Sequence, residues 1–140
     1  MADSVRKQVL DKLVTLLTAL TSLKTIVVVN SLPDTAPYAK SEVPLAALKV
    51  ESEVIDYETS RHGYWKMAIT LAVYFLADES EYSSRETLSK AIKDKIGSNP
   101  TLDETCEMCE ITRVESGGTY PLYEERFSLE ASVERSIADA

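Results

Sequence analysis

The spacing of apolar positions changes several times along this chain, and each change marks a new element. Val5, Val9, Leu10, Leu13, Val14, Leu16, Leu17 and Leu20 recur every three or four residues, while Arg6, Lys7, Asp11 and Lys12 fall on the other side. That spacing predicts a helix from Ser4 to Leu23 with Asp3-Ser4 as its N-cap. The β-branched run Thr25–Val29 predicts a short strand. Residues 30–44 hold Pro33, Pro37 and Pro44 and predict a loop. A loop this long fits either an interaction arm or a plain surface excursion.

From Leu45 to Glu58 the chain is strand-like. Val50, Val54, Ile55 and Tyr57 cannot all share one face, so a bulge is expected near Glu53–Ile55. Ser60-Arg61-His62-Gly63 predicts a turn. The segment Tyr64–Ala77 then alternates without a break. Trp65, Met67, Ile69, Leu71, Val73 and Phe75 form one face, the expected core. Tyr64, Lys66, Ala68, Thr70, Ala72 and Tyr74 form the other, which is small and mixed.

A polar stretch over 78–84 leads into a second helix, predicted over Ser84–Ile96. Ser83 and Glu86 have capping-box spacing, Leu88, Ala91, Ile92 and Ile96 form a stripe, and Gly97 and Asn99-Pro100 supply the stop. Cys106–Glu115 and Tyr123–Arg135 alternate on either side of Ser116-Gly117-Gly118-Thr119, which predicts a hairpin. In its second strand Tyr123, Phe127, Leu129, Ala131 and Val133 face the core, with Glu125 as a break. Glu124, Arg126, Ser128, Glu130, Ser132 and Glu134 face outward. The predicted order is α-β-β-β-α-β-β. It gives an α+β fold, an antiparallel sheet with two helices packed on one face, in a single domain over 1–140.

Composition narrows the function. The chain is 44% hydrophobic and 27% charged over 140 residues, as a globular domain should be. Its net charge is -8, which argues against a protein that holds nucleic acid by charge neutralisation. Residues 1–100 carry 12 basic and 13 acidic groups, but residues 101–140 carry 3 and 10. Almost the whole imbalance therefore belongs to the predicted hairpin region. The apolar stretch Leu13–Val29 is broken by threonines and a lysine, so it is not read as a membrane span. The opening Met-Ala-Asp-Ser lacks the basic region of a signal peptide, and a reducing cytoplasm is the expected setting.

Candidate chemistry is sparse. Cys106-Glu-Met-Cys109 invites a redox or zinc reading. On a strand, however, a spacing of three sends the two thiols to opposite faces, and zinc would need two more ligands in a chain with one histidine and no further cysteine. Structural cysteines are the expectation. His62, in a turn beside Arg61, reads as a solvated side chain. Glu51, Glu53, Asp56 and Glu58 could suggest paired carboxylates, with Glu51 and Glu53 on one face, but a solvated face is the simpler reading. No phosphate loop or nucleophile elbow occurs, so no catalytic residue, metal or cofactor is expected. The proline-rich loop, the small second face of Tyr64–Tyr74 and the acidic face of the hairpin instead suggest assembly.

The order of elements resembles the tail terminator family of long-tailed bacteriophages, the tail-completion or minor tail protein U-like proteins. The resemblance rests on the leading helix Ser4–Leu23, Val43-Pro-Leu-Ala-Ala-Leu-Lys-Val50 and the acidic Glu51-Ser-Glu-Val-Ile-Asp-Tyr-Glu58. It continues through the strand Trp65–Phe75, the helix 84–96, the turn Asn99-Pro-Thr-Leu102 and the closing Arg126-Phe-Ser-Leu-Glu-Ala-Ser-Val133. It implies a non-enzymatic ring of this chain, a hexamer, in the virion at the head–tail junction, assembled in the host cytoplasm. The ring would cap the tail tube, contact the tube protein and a head-completion protein, and let DNA pass without holding it. On that reading Glu110, Glu130 and Glu134 line or approach the channel, and Ala68, Thr70, Ala72, Tyr74, Pro33 and Pro37 meet neighbouring subunits. Another neck or connector subunit, or a small-molecule-binding or enzymatic α+β domain, are the alternatives.

Overall fold

A computed structural model describes residues 5–20, 23, 25–29, 44–57, 62–76, 81–102, 106–119 and 122–136. Its elements run α1 (Val5–Thr18), β1 (Thr25–Val28), β2 (Leu45–Tyr57), β3 (His62–Leu76), α2 (Glu81–Gly97), β4 (Met108–Thr119) and β5 (Leu122–Ser136). This is the predicted α-β-β-β-α-β-β order. The five strands form one sheet in the order β1-β2-β3-β5-β4, with both helices on one side. The pairings β2–β3, β3–β5 and β4–β5 are antiparallel, and β1 alone runs parallel to its neighbour β2.

The core lies between helices and sheet. Val9, Leu13 and Leu17 of α1 and Leu88, Ile92 and Ile96 of α2 meet Trp65, Met67, Ile69, Leu71, Val73 and Phe75 of β3. Phe127, Leu129, Ala131 and Val133 of β5 complete it, all buried. The alternation of β3 places a large side chain on the helix side at every second position, which is why these residues are buried together.

Several boundaries differ from the prediction, each for a physical reason. α1 stops at Thr18, not Leu23. The hydroxyls of Thr15 and Thr18 donate to the carbonyls of Asp11 and Val14 at 2.9 and 2.7 Å, and the chain then tightens into three-residue turns at Ala19, Leu20 and Leu23. α2 begins at Glu81, so Ser83 lies within the helix rather than at its cap. The hairpin joint is not at Ser116–Thr119: these residues are paired strand, Gly117 with Glu124 and Gly118 with Tyr123. The two residues that join the strands, 120 and 121, lie outside the described set, as do Ser4, residues 30–43 and residues 58–61. Gly63, expected in a turn, is in β3, and the indole of Trp65 lies 3.0 Å from where a Cβ on Gly63 would stand.

The bulge in β2 falls at Glu51, between Val50 and Ser52, two residues before its expected position. It reverses the alternation, so Glu51 and Glu53 do not share a face. Glu53 turns toward the helices and pairs with Arg6 of α1 at 2.9 Å. Glu51 stays on the opposite face beside Lys49 and Thr70.

Candidate functional site

The face of the sheet that carries no helix is the candidate site. Strand alternation and the observed registers assign its residues. β2 supplies Lys49, Glu51, Ser52, Val54 and Asp56, β3 supplies Tyr64, Lys66, Ala68 and Thr70, and β5 supplies Glu124 to Glu134 at every second position. β4 adds Met108, Glu110, Arg113 and Glu115, with a second bulge at Thr112 re-aiming the strand between Ile111 and Arg113. Among the described residues this face holds seven carboxylates and four basic groups.

The three sequence-predicted channel residues all belong to it. Glu110 and Glu130 are direct cross-strand partners, and Glu130 is in turn paired with Ala68. Two like charges directly opposite each other repel. Lys66 relieves this in part, its Nζ standing 3.6 Å from Glu130 Oε1. Glu134 is paired with Tyr64, four residues further along β5.

Beside them is a second set of charges that sequence reading did not single out. Arg126 donates to Glu124 Oε1 at 3.1 Å, Lys49 donates to Glu51 Oε2 at 2.9 Å, and Arg113 pairs with Glu115. The hydrogen bond from Lys49 holds Glu51 below its ordinary value, against a smaller opposing effect of burial, and Thr70 adds to it. Burial pulls Arg126 down, but the bond to Glu124 and the nearby Glu124, Tyr74 and Glu51 charges outweigh it and raise the guanidinium. The only sequence signal for this network is the i, i+2 spacing of opposite charges on one strand face.

The predicted subunit-contact residues separate into distinct environments. Ala68 is exposed and Thr70 half-buried, whereas Ala72 and Tyr74 are buried within the chain itself. Ala72 and Tyr74 form a small second cluster with Leu45 and Ala47, against which Val27 and Val29 pack. Pro33 and Pro37 lie outside the described residues.

The cysteines do not diverge as a strand spacing of three requires. Cys106 precedes β4, so both side chains enter the main core, as free thiols. The carbonyl of Pro100 accepts from the Cys109 amide at 2.6 Å and lies 3.8 Å from Cys106 Sγ. Burial, with smaller contributions from Cys106 and Glu110, pushes the Cys109 thiol up to about 12. Such a thiol is inert at neutral pH. No cluster of three or more potential metal ligands exists among the described residues, and no helix among them is long and apolar enough to cross a membrane.

One concave feature lies at the sheet's edge. A groove of 460 Å³ runs between the end of α2 and the outer side of β4, lined by Lys93, Ile96, Pro100, Met108, Glu110 and Ile111 among others. The helix side of the sheet also holds an acid, Glu125. It is buried on β5 beneath α2, where the Ser89 hydroxyl donates to its Oε1 at 2.9 Å.

These features define a two-layer α+β plate whose helix-free sheet face is charged over most of its area and carries the buried Leu45, Ala47, Ala72 and Tyr74 cluster at one end. No protein-family model matches the chain, and no curated protein matches it. Among solved structures, it is similar to a chain in the virion of a native gene transfer agent particle, with 11% identity and a TM-score of 0.41, covering 94% of this chain and 92% of that one.

Proposed function

We propose that this protein is a structural subunit of a long-tailed phage particle, a tail terminator that closes the head-proximal end of the tail tube as a homo-oligomeric ring of six. The observation that carries this reading is the helix-free sheet face, which concentrates carboxylates on one side of a plate whose other side carries the helices and the main core. The element order, which resembles that family throughout the chain, agrees with it. In the ring the bare face turns toward the channel. Glu110, Glu130 and Glu134 then present negative charge to passing DNA, which is repelled within a Debye length of roughly 8–10 Å rather than held.

Ala68 is the direct partner of Glu130, so a neighbour packed over Ala68 would also cover Glu130. Ala68 and Thr70 therefore belong with the channel wall, and the proline-rich segment 30–44, with Pro33 and Pro37, is the reach toward the neighbouring subunit. The tube protein and a head-completion protein are the axial partners. The test adds purified protein to tail tubes polymerising in vitro and images them by negative stain. Capped tubes of arrested length are expected. Tubes that elongate at the same rate with the protein present overturn the reading, and binding at the portal instead identifies a different neck subunit.

A further inference from the structure

Three observations converge on the outer side of β4. First, β4 ends the sheet: past Cys109, whose amide is bonded to the Pro100 carbonyl at 2.6 Å, residues 110–119 pair with β5 on one side and with no strand on the other among the described residues. Second, the groove between α2 and this edge is floored by apolar side chains, and Met108 stands 46% exposed at its rim. Third, the wall on the bare-face side is Glu110, backed by its cross-strand partner Glu130.

An unpaired strand edge accepts one kind of ligand, an extended backbone. Added strand residues alternate in direction, so a residue aimed into the groove has neighbours aimed at the bare face. The groove calls for an apolar side chain there, and the Glu110–Glu130 pair calls for a cation beside it. We propose that the β4 edge binds an extended segment of a partner protein as a sixth strand, with an apolar residue in the α2–β4 groove flanked by Lys or Arg facing Glu110.

A second copy of this chain is a poorer occupant. Among the described residues the other open edges are β1, whose Thr25–Val28 carries no cation, and the second half of β2, whose bare-face side carries Glu51 and Asp56, which would stand beside acids. The proposal does not need the ring reading.

The test uses the whole chain, labelled with nitrogen-15, and the synthetic peptide acetyl-Lys-Val-Lys-Ile-Lys-Val-Lys-amide as probe, with the Glu-for-Lys peptide as control. Saturable amide shifts confined to residues 108–119 and the end of α2 are expected from the Lys peptide and not from the Glu peptide. Glu110→Lys should weaken binding tenfold or more, and Met108→Asp should weaken it as well. Both residues are exposed, so both variants are expected to fold, and an unchanged urea midpoint checks this. No saturable binding overturns the proposal. So do shifts spread over the whole bare face, which mean simple charge coating. Protection of the β4 amides by self-association overturns it in favour of a second copy.

Discussion

Removing the hydroxyl of Ser89 should expose how the fold tolerates an acid in its core. Ser89 and Glu125 are 2% and 7% exposed, and their hydrogen bond of 2.9 Å joins α2 to β5 across 36 residues. Ser89→Ala deletes the donor and leaves a buried acceptor with one partner fewer. Leaving a buried acceptor unsatisfied costs roughly 1–3 kcal/mol, so a loss of that size is expected. At about 4 °C per kcal/mol for a chain near this size, the melting point should drop by roughly 4–12 °C. The assay is urea unfolding followed by the fluorescence of Trp65, the single tryptophan, which is buried. The double variant Ser89→Ala/Glu125→Met supplies the control. Replacing both polar partners by apolar groups is near neutral, so most of the lost stability should return. A single variant within 0.5 kcal/mol of the parent would refute the reasoning, and so would a double variant no more stable than Ser89→Ala.

Three other perturbations have defined outcomes. Trp65→Ala should cost about 3–5 kcal/mol in a thermal or urea melt, because it empties space beneath both helices. Leu102 holds a left-handed backbone, φ 47°, yet is fully buried, so Leu102→Gly should relieve strain but still lose stability on balance, by roughly 1–4 kcal/mol in the same melt. The Cys109 thiol stays protonated up to about pH 12 when folded but ionises near 9 when unfolded. The unfolded state therefore loses its proton first, and stability attributable to Cys109 should fall as pH rises from 9 to 12. Cys109→Ala should flatten that part of the decline, read from urea midpoints, and an unchanged slope would contradict it.

Element order was legible because period is a local property. The strict alternation of Trp65 to Phe75 and the three-four spacing of α1 each report their own face. What crossed between elements was not legible. The bulge at Glu51 depends on how β2 matches β3, and no residue within Glu51–Glu58 marks it. Gly117 and Gly118 suggested a turn, yet Gly117 is a paired position over which Glu124 lies, 3.8 Å from where a Cβ would stand. Glu125 broke an apolar pattern because its partner comes from a different helix. Cys106 was assigned to a strand that starts two residues later, and that shift brings both thiols to one side. In the candidate site, the outward carboxylates of β5 followed from alternation alone. The adjacency of Glu110 and Glu130 followed only from register. The burial of Ala72 and Tyr74 depends on Leu45 and Ala47 in a different strand.

The strand order also constrains how the molecule comes into being. β5 sits between β3 and β4, although both precede it in the chain. Until β5 arrives, β3 has one open side along fifteen residues and its row of Trp65, Met67, Ile69, Leu71, Val73 and Phe75 lacks the flanking Phe127, Leu129, Ala131 and Val133. The seam that completes the sheet joins His62 to Ser136 and Leu76 to Leu122, among the longest loop closures in the fold. Such closures are slow relative to local hairpins. The β4–β5 hairpin is thus expected to form early and dock late, and a chain stalled before docking would present a ready template for edge-to-edge aggregation.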